Sequence, residues 1–118
     1  MKKFDTGKNV LAYESIGSER GLPLVFLHGS TLDHVSMRNT FEKYFAGRDQ
    51  EYRRVYVDLP GHGESGHSLL RANMGALLED LGDFLRGNFT RPPCVAGYSL
   101  GGFAALKLAE TLRFPSLF

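Results

Sequence analysis

One eight-residue stretch, Val95–Gly102, constrains the fold of this chain more than any other part of the sequence. It contains the pattern Gly97-x-Ser99-x-Gly101, with the apolar run 93–96 before it and the mostly apolar run 103–109 after it. The first run predicts a buried strand and the second predicts a helix. Where a strand turns sharply into a helix at a serine, there is no room for side chains two residues before and two residues after that serine. Glycine, which has no side chain, fits both positions. The pattern therefore predicts a tight turn with Ser99 at its tip.

Apolar runs alternate with amphipathic stretches along most of the remaining sequence. We predict strands at 9–16, 22–27, 53–58 and 93–97. We predict helices from Asp33 or Ser36 to about Phe45, from Leu70 to near Gly87-Asn88, and from the turn at Ser99 to about Leu112. Alternating strands and helices imply crossover connections between parallel strands. The predicted fold class is α/β: a mostly parallel, doubly wound sheet with flanking helices. The near-continuous apolar strand 22–27 should lie between 53–58 and 93–97, and the apolar stripe from Leu70 to Phe84 should be core.

Composition excludes several classes of protein. The formal net charge of +1 gives no electrostatic reason to bind nucleic acid or an anionic membrane. No apolar run approaches the roughly 20 residues of a membrane span, and no apolar stretch follows the two N-terminal lysines as it would in a secretory signal. The single cysteine, Cys94, allows neither an internal disulfide nor a multi-cysteine metal site. We expect a buried, inert thiol, a cytoplasmic location, no cofactor and no metal.

Three glycine-rich loops follow predicted strands, at 28–31, 59–66 and 97–101. In open α/β sheets, ligands bind beyond the carboxyl ends of the strands. The segments Leu27-His28-Gly29-Ser30, Asp58-Leu59-Pro60-Gly61-His62-Gly63-Glu64-Ser65 and Gly97-Tyr98-Ser99-Leu100-Gly101-Gly102 resemble the three N-terminal signatures of the α/β-hydrolase superfamily, in its serine-hydrolase (GxSxG) branch. They occur in that family's order and spacing, and the resemblance covers the chain from about residue 9 to about residue 112.

The resemblance implies a role for each residue around the turn. Ser99 would be the catalytic nucleophile. The backbone N–H groups of Leu100 and Ser30 would hold the oxyanion, and Gly29 and Tyr98 would contact the substrate. The implied activity is hydrolysis of a carboxylic ester or a similar small molecule.

The other polar residues near the loops have structural interpretations. His28 stands where the family has a histidine that shapes the oxyanion loop. His62 should pack or hydrogen-bond locally, and His34 and His67 should be solvated. Asp58 ends a predicted strand, and its carboxylate should fix the following loop rather than orient a histidine.

The family's other two catalytic residues, an acid and then a histidine, follow the nucleophile in sequence. No histidine follows Ser99 here, and Glu110 is the only acid that does. We therefore expect residues 1–118 to form a single incomplete domain, the N-terminal half of the hydrolase fold, ending after the helix that follows Ser99. The strand before Ser99 should then have an unpaired edge, and the apolar tail 114–118 should have no obvious place to be buried, so self-association is expected.

Two alternatives to an ester hydrolase remain open. The first is a non-catalytic α/β fragment that binds a ligand or a partner without turnover, which the absent histidine favours. The second lies within the enzymes: the same motifs are similar to those of the menaquinone-pathway synthase that eliminates pyruvate. Serine at position 99 argues against the haloalkane dehalogenase and epoxide hydrolase branches, which have aspartate there.

Overall fold

The computed structural model describes residues 1–118. Its strands are β1 (Lys2–Asp5), β2 (Val10–Ile16), β3 (Leu22–Leu27), β4 (Tyr52–Val57) and β5 (Cys94–Gly97). Its helices are α1 (His34–Phe41), α2 (Met74–Gly87) and α3 (Leu100–Leu108), with short 3₁₀ turns at Glu42–Phe45 and Leu69–Arg71.

The five strands form one mixed sheet in the order β1-β2-β4-β3-β5. Strands β4, β3 and β5 are parallel, whereas β2 runs antiparallel to β4 and β1 antiparallel to β2. The predicted position of β3, between β4 and β5, is confirmed. Strand β1 was not predicted, because a short, mostly exposed strand with two lysines and an aspartate carries no apolar alternation. Parallel pairing brings the carboxyl ends of β3, β4 and β5 to one edge of the sheet.

Both faces of β3 are covered, which explains its continuous apolar sequence. Val25 and Leu27 belong to the larger core, which the sheet forms with α2 and α3. The residue between them, Phe26, faces the other way and packs with Met37 of α1 and with Tyr56 of β4. The sheet thus lies between α1 on one face and α2 with α3 on the other.

The helices differ from their predicted bounds in three places. Asp33 caps α1, its carboxylate accepting the N–H of Val35, but the α-helix ends at Phe41 and only a 3₁₀ turn continues to Phe45. Helix α2 begins at Met74, so Leu70 lies outside it and is 90% exposed; Met74 itself is also exposed, so the predicted core stripe begins only at Leu77. Helix α3 ends at Leu108, short of the predicted 112. No helix combines the length and the apolar character that crossing a membrane requires.

The C-terminal tail covers the outer edge of β5, so the prediction of an unpaired edge is wrong. The N–H of Val95 donates to Ser116 O at 3.0 Å, the N–H of Gly97 donates to Phe118 O at 2.8 Å, and the N–H of Phe118 donates to Val95 O at 2.8 Å. Leu117 lies parallel to Val95 and packs against the core. The sequence contains a signal for this pairing that the prediction missed. Leu117 and Phe118 are apolar and follow Pro115, which cannot continue a helix, and here they begin a further parallel pairing with β5.

Candidate functional site

Ser99 occupies a strained turn between β5 and α3. Its backbone angles are φ 52° and ψ −114°. Only one other non-glycine residue of the chain, Thr31, has a positive φ. Such a conformation costs an L-residue on the order of 1–3 kcal/mol and persists only where the surrounding structure enforces it. The Ser99 side chain is exposed and makes no capping hydrogen bond to α3. The turn therefore presents a free hydroxyl beyond the edge of the sheet.

Two glycines make this turn sterically possible. A Cβ atom on Gly97 would lie 2.5 Å from the carbonyl oxygen of Gly101. A Cβ atom on Gly101 would overlap the carbonyl oxygens of Leu27 and His28 at the end of β3. All these neighbouring atoms are backbone, which cannot move aside cheaply. The glycine pattern is therefore a packing requirement that lets α3 start directly against the sheet.

The loop after β3 lies directly beside Ser99. A Cβ atom placed on Gly29 would be 3.0 Å from Cδ2 of Tyr98 and 3.4 Å from Cβ of Ser99. The loop turns back at Thr31, where φ is 66°, and the N–H of Leu32 closes the turn on Gly29 O at 3.2 Å. This brings together four of the five sequence-predicted site residues, Gly29, Ser30, Tyr98 and Ser99.

The fifth predicted site residue, Leu100, begins α3. The first N–H groups of a helix have no partner within the helix. Neither the N–H of Leu100 nor that of Ser30 donates to an acceptor elsewhere in the chain. A helix N-terminus with free N–H groups favours negative charge nearby. The surroundings of Ser99 can therefore stabilise an anion.

Both ring nitrogens of His28 are engaged in hydrogen bonds. Its Nδ1 lies 2.7 Å from the carbonyl oxygen of Gly29, and its Nε2 accepts the N–H of Leu59 at 3.0 Å. Burial lowers the pKa of His28 below its ordinary value; the Gly29 carbonyl opposes this shift, and nearby His62 adds to it. Because both ring nitrogens are engaged, His28 ties the loop after β3 to the loop after β4 and is not a free base for Ser99.

Asp58 fixes two segments at the carboxyl end of β4. Its carboxylate accepts the N–H of Glu64 at 2.9 Å and the N–H of His34 at 2.7 Å. Burial raises the pKa of Asp58, but the hydrogen bonds from Glu64 and His34 outweigh it and bring the pKa below its ordinary value. Ser65 adds a further tie: its hydroxyl donates to Asp58 O and its oxygen accepts the N–H of Ala12. The loop is therefore anchored to both β2 and β4.

Two interpretations of polar residues need correction. His34 is buried, not solvated: its Nδ1 lies 2.9 Å from Oδ1 of Asp58, and its Nε2 lies 3.4 Å from a carboxylate oxygen of Glu14. Asp58 accordingly contacts a histidine as well as fixing its loop. Arg38 completes the cluster with an ion pair to Glu14 at 2.7 Å. No local pattern in the sequence predicts this cluster, because its residues come from α1, from β2 and from the end of β4.

Two cavities flank the turn at Ser99. The larger, about 650 Å³, is an apolar groove along the sheet face beside α1, and Leu32 and Tyr98 line part of it. The smaller, about 310 Å³, lies between the loop after β4 and the start of α2, and His62 and Leu100 are part of its lining. His62 hydrogen-bonds locally, with Nδ1 3.1 Å from Pro60 O, as expected.

The sequence matches a family model over most of its length. The model of the alpha/beta hydrolase family matches residues 24–116. The chain belongs to the alpha/beta hydrolase family. The α/β-hydrolase match includes all three glycine-rich loops, and the members of this superfamily are mostly enzymes.

Individual relatives differ in their chemistry. The chain is 32% identical over 108 residues to the dihydrolipoyllysine-residue acetyltransferase component of the acetoin cleaving system of Pseudomonas putida, and the match covers 92% of this chain and 28% of that protein. It is 36% identical over 94 residues to the 2-succinyl-6-hydroxy-2,4-cyclohexadiene-1-carboxylate synthase of Escherichia coli O157:H7, covering 75% of this chain and 33% of that protein. The chain thus spans about a third of the length of these relatives.

A solved structure agrees with the assignment. The alpha/beta superfamily hydrolase from Oenococcus oeni is 35% identical, with a TM-score of 0.74. The match covers 93% of this chain and 41% of that one. The fold described above is therefore that of the N-terminal part of an α/β hydrolase.

Proposed function

We propose that this chain carries the nucleophile and oxyanion hole of a serine hydrolase that acts on a carboxylic ester or a similar small substrate. The observation that carries the proposal is the strained, positive-φ conformation of Ser99 with its side chain exposed. Strain of this kind is retained where a function needs it. No structural contact of the Ser99 side chain accounts for it, since the hydroxyl caps no helix.

In the proposed reaction, Ser99 Oγ attacks the ester carbonyl carbon and gives up its proton to a general base. The carbonyl oxygen becomes an oxyanion, which the N–H groups of Leu100 and Ser30 stabilise. Collapse of the tetrahedral intermediate releases the alcohol, which takes the proton, and leaves an acyl group on Ser99 for water to remove. Gly29 permits close approach of the substrate, and Tyr98, 60% exposed, contacts it.

The general base is not among the residues that follow Ser99 here, because none of them is a histidine. Of the histidines before it, His28 and His34 are engaged with other groups. A serine hydroxyl without an adjacent base is a weak nucleophile. We therefore expect the proposed activity to need a histidine and an acid that residues 1–118 do not supply. A cytoplasmic setting, which the lone Cys94 favours, is part of the same proposal.

Two other functions have specific support. Synthase chemistry that eliminates pyruvate is favoured by the 36% identity to the E. coli synthase. A non-catalytic binding role is favoured by the lack of a base in the chain. A serine hydrolase explains the turn geometry and the free N–H groups together, and we prefer it for that reason.

A graft tests the proposal. Residues 1–118 are joined to the part of the Oenococcus oeni hydrolase that follows its matched segment, and hydrolysis of p-nitrophenyl acetate is measured. We expect turnover that falls at least about 10⁴-fold in the Ser99→Ala graft. The Ser116→Ala graft serves as the control for a serine outside the site. Equal rates for the parent and Ser99→Ala grafts, both folded by circular dichroism, would refute the proposal.

A further inference from the structure

The arginines without a carboxylate partner all lie at one end of the sheet. Five arginines of the chain form ion pairs with aspartate or glutamate. The other four are Arg20 before β3, Arg53 at the start of β4, Arg91 before β5 and Arg113 after α3. These positions surround the amino ends of the parallel strands, whereas Ser99 follows the carboxyl end of β5. Unpaired positive charge is therefore concentrated at the end of the molecule opposite the candidate nucleophile.

Two of these four arginines, Arg91 and Arg113, line one cavity. This arginine cavity has a volume of about 220 Å³ and lies between the end of α2, the segment before β5 and the segment after α3. The other two arginines adjoin it. Arg91 Nη2 lies 3.5 Å from the backbone oxygen of Arg20. The Arg53 guanidinium lies 5.1 Å from the centre of the Phe89 ring, which is part of the lining. The unpaired arginines therefore form one cluster around this cavity.

The positive charge in the arginine cavity is not neutralised within the chain. No aspartate or glutamate is part of the lining, and of its three arginines only Arg86 has a carboxylate partner, Asp83 at 2.9 Å. Basic side chains near helix C-termini often bind the last carbonyl oxygens. Here neither Arg91 nor Arg113 donates to a carbonyl of α2 or α3, and the only acceptor near either guanidinium is the oxygen of Arg20. Two guanidinium groups are therefore free to bind an anion.

Two free guanidinium groups match a doubly charged anion better than a single carboxylate. A phosphate monoester carries a charge of about −1.5 to −2 at pH 7 and has three acceptor oxygens. Arginine binds such oxygens through two parallel hydrogen bonds. Thr90 adds a further donor to the lining, since its hydroxyl makes no hydrogen bond within the chain. A carboxylate, with one charge and two oxygens, would leave one of the two arginines unmatched.

Apolar side chains beside the free guanidinium groups suit the organic part of such a ligand. Phe89 and Phe114 are part of the lining of the arginine cavity. Arg113 and Phe114 also line a second cavity of about 490 Å³, whose other walls include Leu112 and Leu117. Ligand pockets commonly combine an apolar wall with a few polar groups that fix orientation. The two adjoining cavities therefore match a phosphate group joined to a hydrocarbon or ring.

We propose that the arginine cavity binds the phosphate group of an organic phosphate monoester, whose apolar part lies in the adjoining cavity. Arg91 and Arg113 hold the phosphate oxygens from two sides, and Phe114 separates the phosphate from the apolar part. This site lies at the opposite end of the sheet from Ser99, so the proposal does not depend on the hydrolase activity proposed above.

The test is a binding measurement on the 118-residue chain. The ¹⁵N-labelled protein is titrated with phenyl phosphate and, separately, with phenol, which has the same ring without the charge, and with benzoate, which has a single charge. We expect saturable shifts of the backbone amides of Phe89, Arg91 and Phe114 with phenyl phosphate, weaker binding of benzoate and no saturable shift with phenol. Equal affinity for all three probes, or no shift of these amides with phenyl phosphate, would overturn the proposal.

Variants identify the groups that bind the phosphate. Arg91→Gln and Arg113→Gln should each weaken phenyl phosphate binding by about 10-fold or more, as expected for the loss of a charged hydrogen-bond donor. Both side chains are exposed and lack a carboxylate partner, so neither change leaves a buried charge unpaired. Lys43→Gln is the matched control, because it removes an exposed charge that also lacks a carboxylate partner, in the 3₁₀ turn after α1. Unchanged affinity in both arginine variants, or an equal loss in Lys43→Gln, would contradict the proposal.

The free N–H groups around Ser99 are the other place where an anion could bind, and the same titration distinguishes the two sites. Binding in the arginine cavity should leave the amides of Ser30 and Leu100 unshifted, and the Ser99→Ala chain should bind phenyl phosphate with the parent's affinity. Shifts confined to Ser30 and Leu100 would place the phosphate at the candidate oxyanion hole and overturn the proposal.

Discussion

Replacing Gly101 with alanine should destabilise the protein, whereas the same replacement at Gly75 should not. Both glycines are the second residue of a helix, Gly75 in α2 and Gly101 in α3. Their surroundings differ. A Cβ on Gly75 would lie 3.4 Å from the Asn73 side chain, while a Cβ on Gly101 would overlap the backbone of Leu27 and His28.

The expected magnitudes follow from these contacts. Alanine in place of glycine in a helix is favourable by about 0.5–1 kcal/mol. Inserting a methyl group into a closely packed site costs about 1–3 kcal/mol, and the upper end applies at Gly101 because the obstructing atoms are backbone. The free energy of unfolding should therefore fall by about 2 kcal/mol in Gly101→Ala and rise by up to about 1 kcal/mol in Gly75→Ala.

Urea denaturation followed by circular dichroism measures both changes. In a thermal melt, a loss of 2 kcal/mol in the free energy of unfolding would lower the Tm by roughly 6–12 °C for a domain of this size. A Gly101→Ala variant within about 0.5 kcal/mol of the parent would show that α3 does not start against the sheet as described. A Gly75→Ala variant as unstable as Gly101→Ala would refute the steric explanation.

Three further outcomes are expected. Burial lowers the pKa of His28, so the unfolded chain binds a proton there more readily than the folded chain does. The free energy of unfolding, measured by urea denaturation at several pH values, should therefore fall as the pH drops below about 6.5. A His28→Gln variant whose free energy of unfolding falls with pH as steeply as the parent's would contradict this. The purified chain should self-associate in light-scattering measurements at rising concentration, because the apolar groove beside α1 is open; a monomer at every concentration would contradict it. The isolated chain should hydrolyse p-nitrophenyl acetate no faster than its Ser99→Ala variant, since it lacks a base; a clear excess over that variant would show that one of its own histidines serves.

The sequence predicted the parts of the fold that local pattern determines. Strand β3 has the predicted bounds, Leu22–Leu27, because a strand buried on both faces must be apolar throughout. The turn at Ser99 was also predictable from its glycine pattern. A Cβ on Gly97 would meet the backbone of Gly101, four residues later, and a Cβ on Gly101 would meet the end of β3.

The features that the sequence did not predict depend on contacts between distant segments. His34 became buried because Asp58 and Glu14 lie next to the start of α1, which no local pattern encodes. The edge strand β1 has a polar sequence because it is mostly exposed, and its one partly buried side chain, Phe4, packs on Phe84 of α2. The pairing of the tail was missed for the same reason: the apolar pair Leu117-Phe118 is visible in the sequence, but its partner strand, β5, is set only when α3 brings the chain back to the sheet.

The central claim, that Ser99 is a nucleophile, is tested most directly by covalent trapping. The graft of residues 1–118 onto the C-terminal part of the Oenococcus oeni hydrolase is treated with diethyl p-nitrophenyl phosphate, and its peptides are mapped by mass spectrometry. The account predicts a single diethyl phosphate adduct, on Ser99, and none in the Ser99→Ala graft. An adduct on another residue of a graft that turns over esters would contradict it.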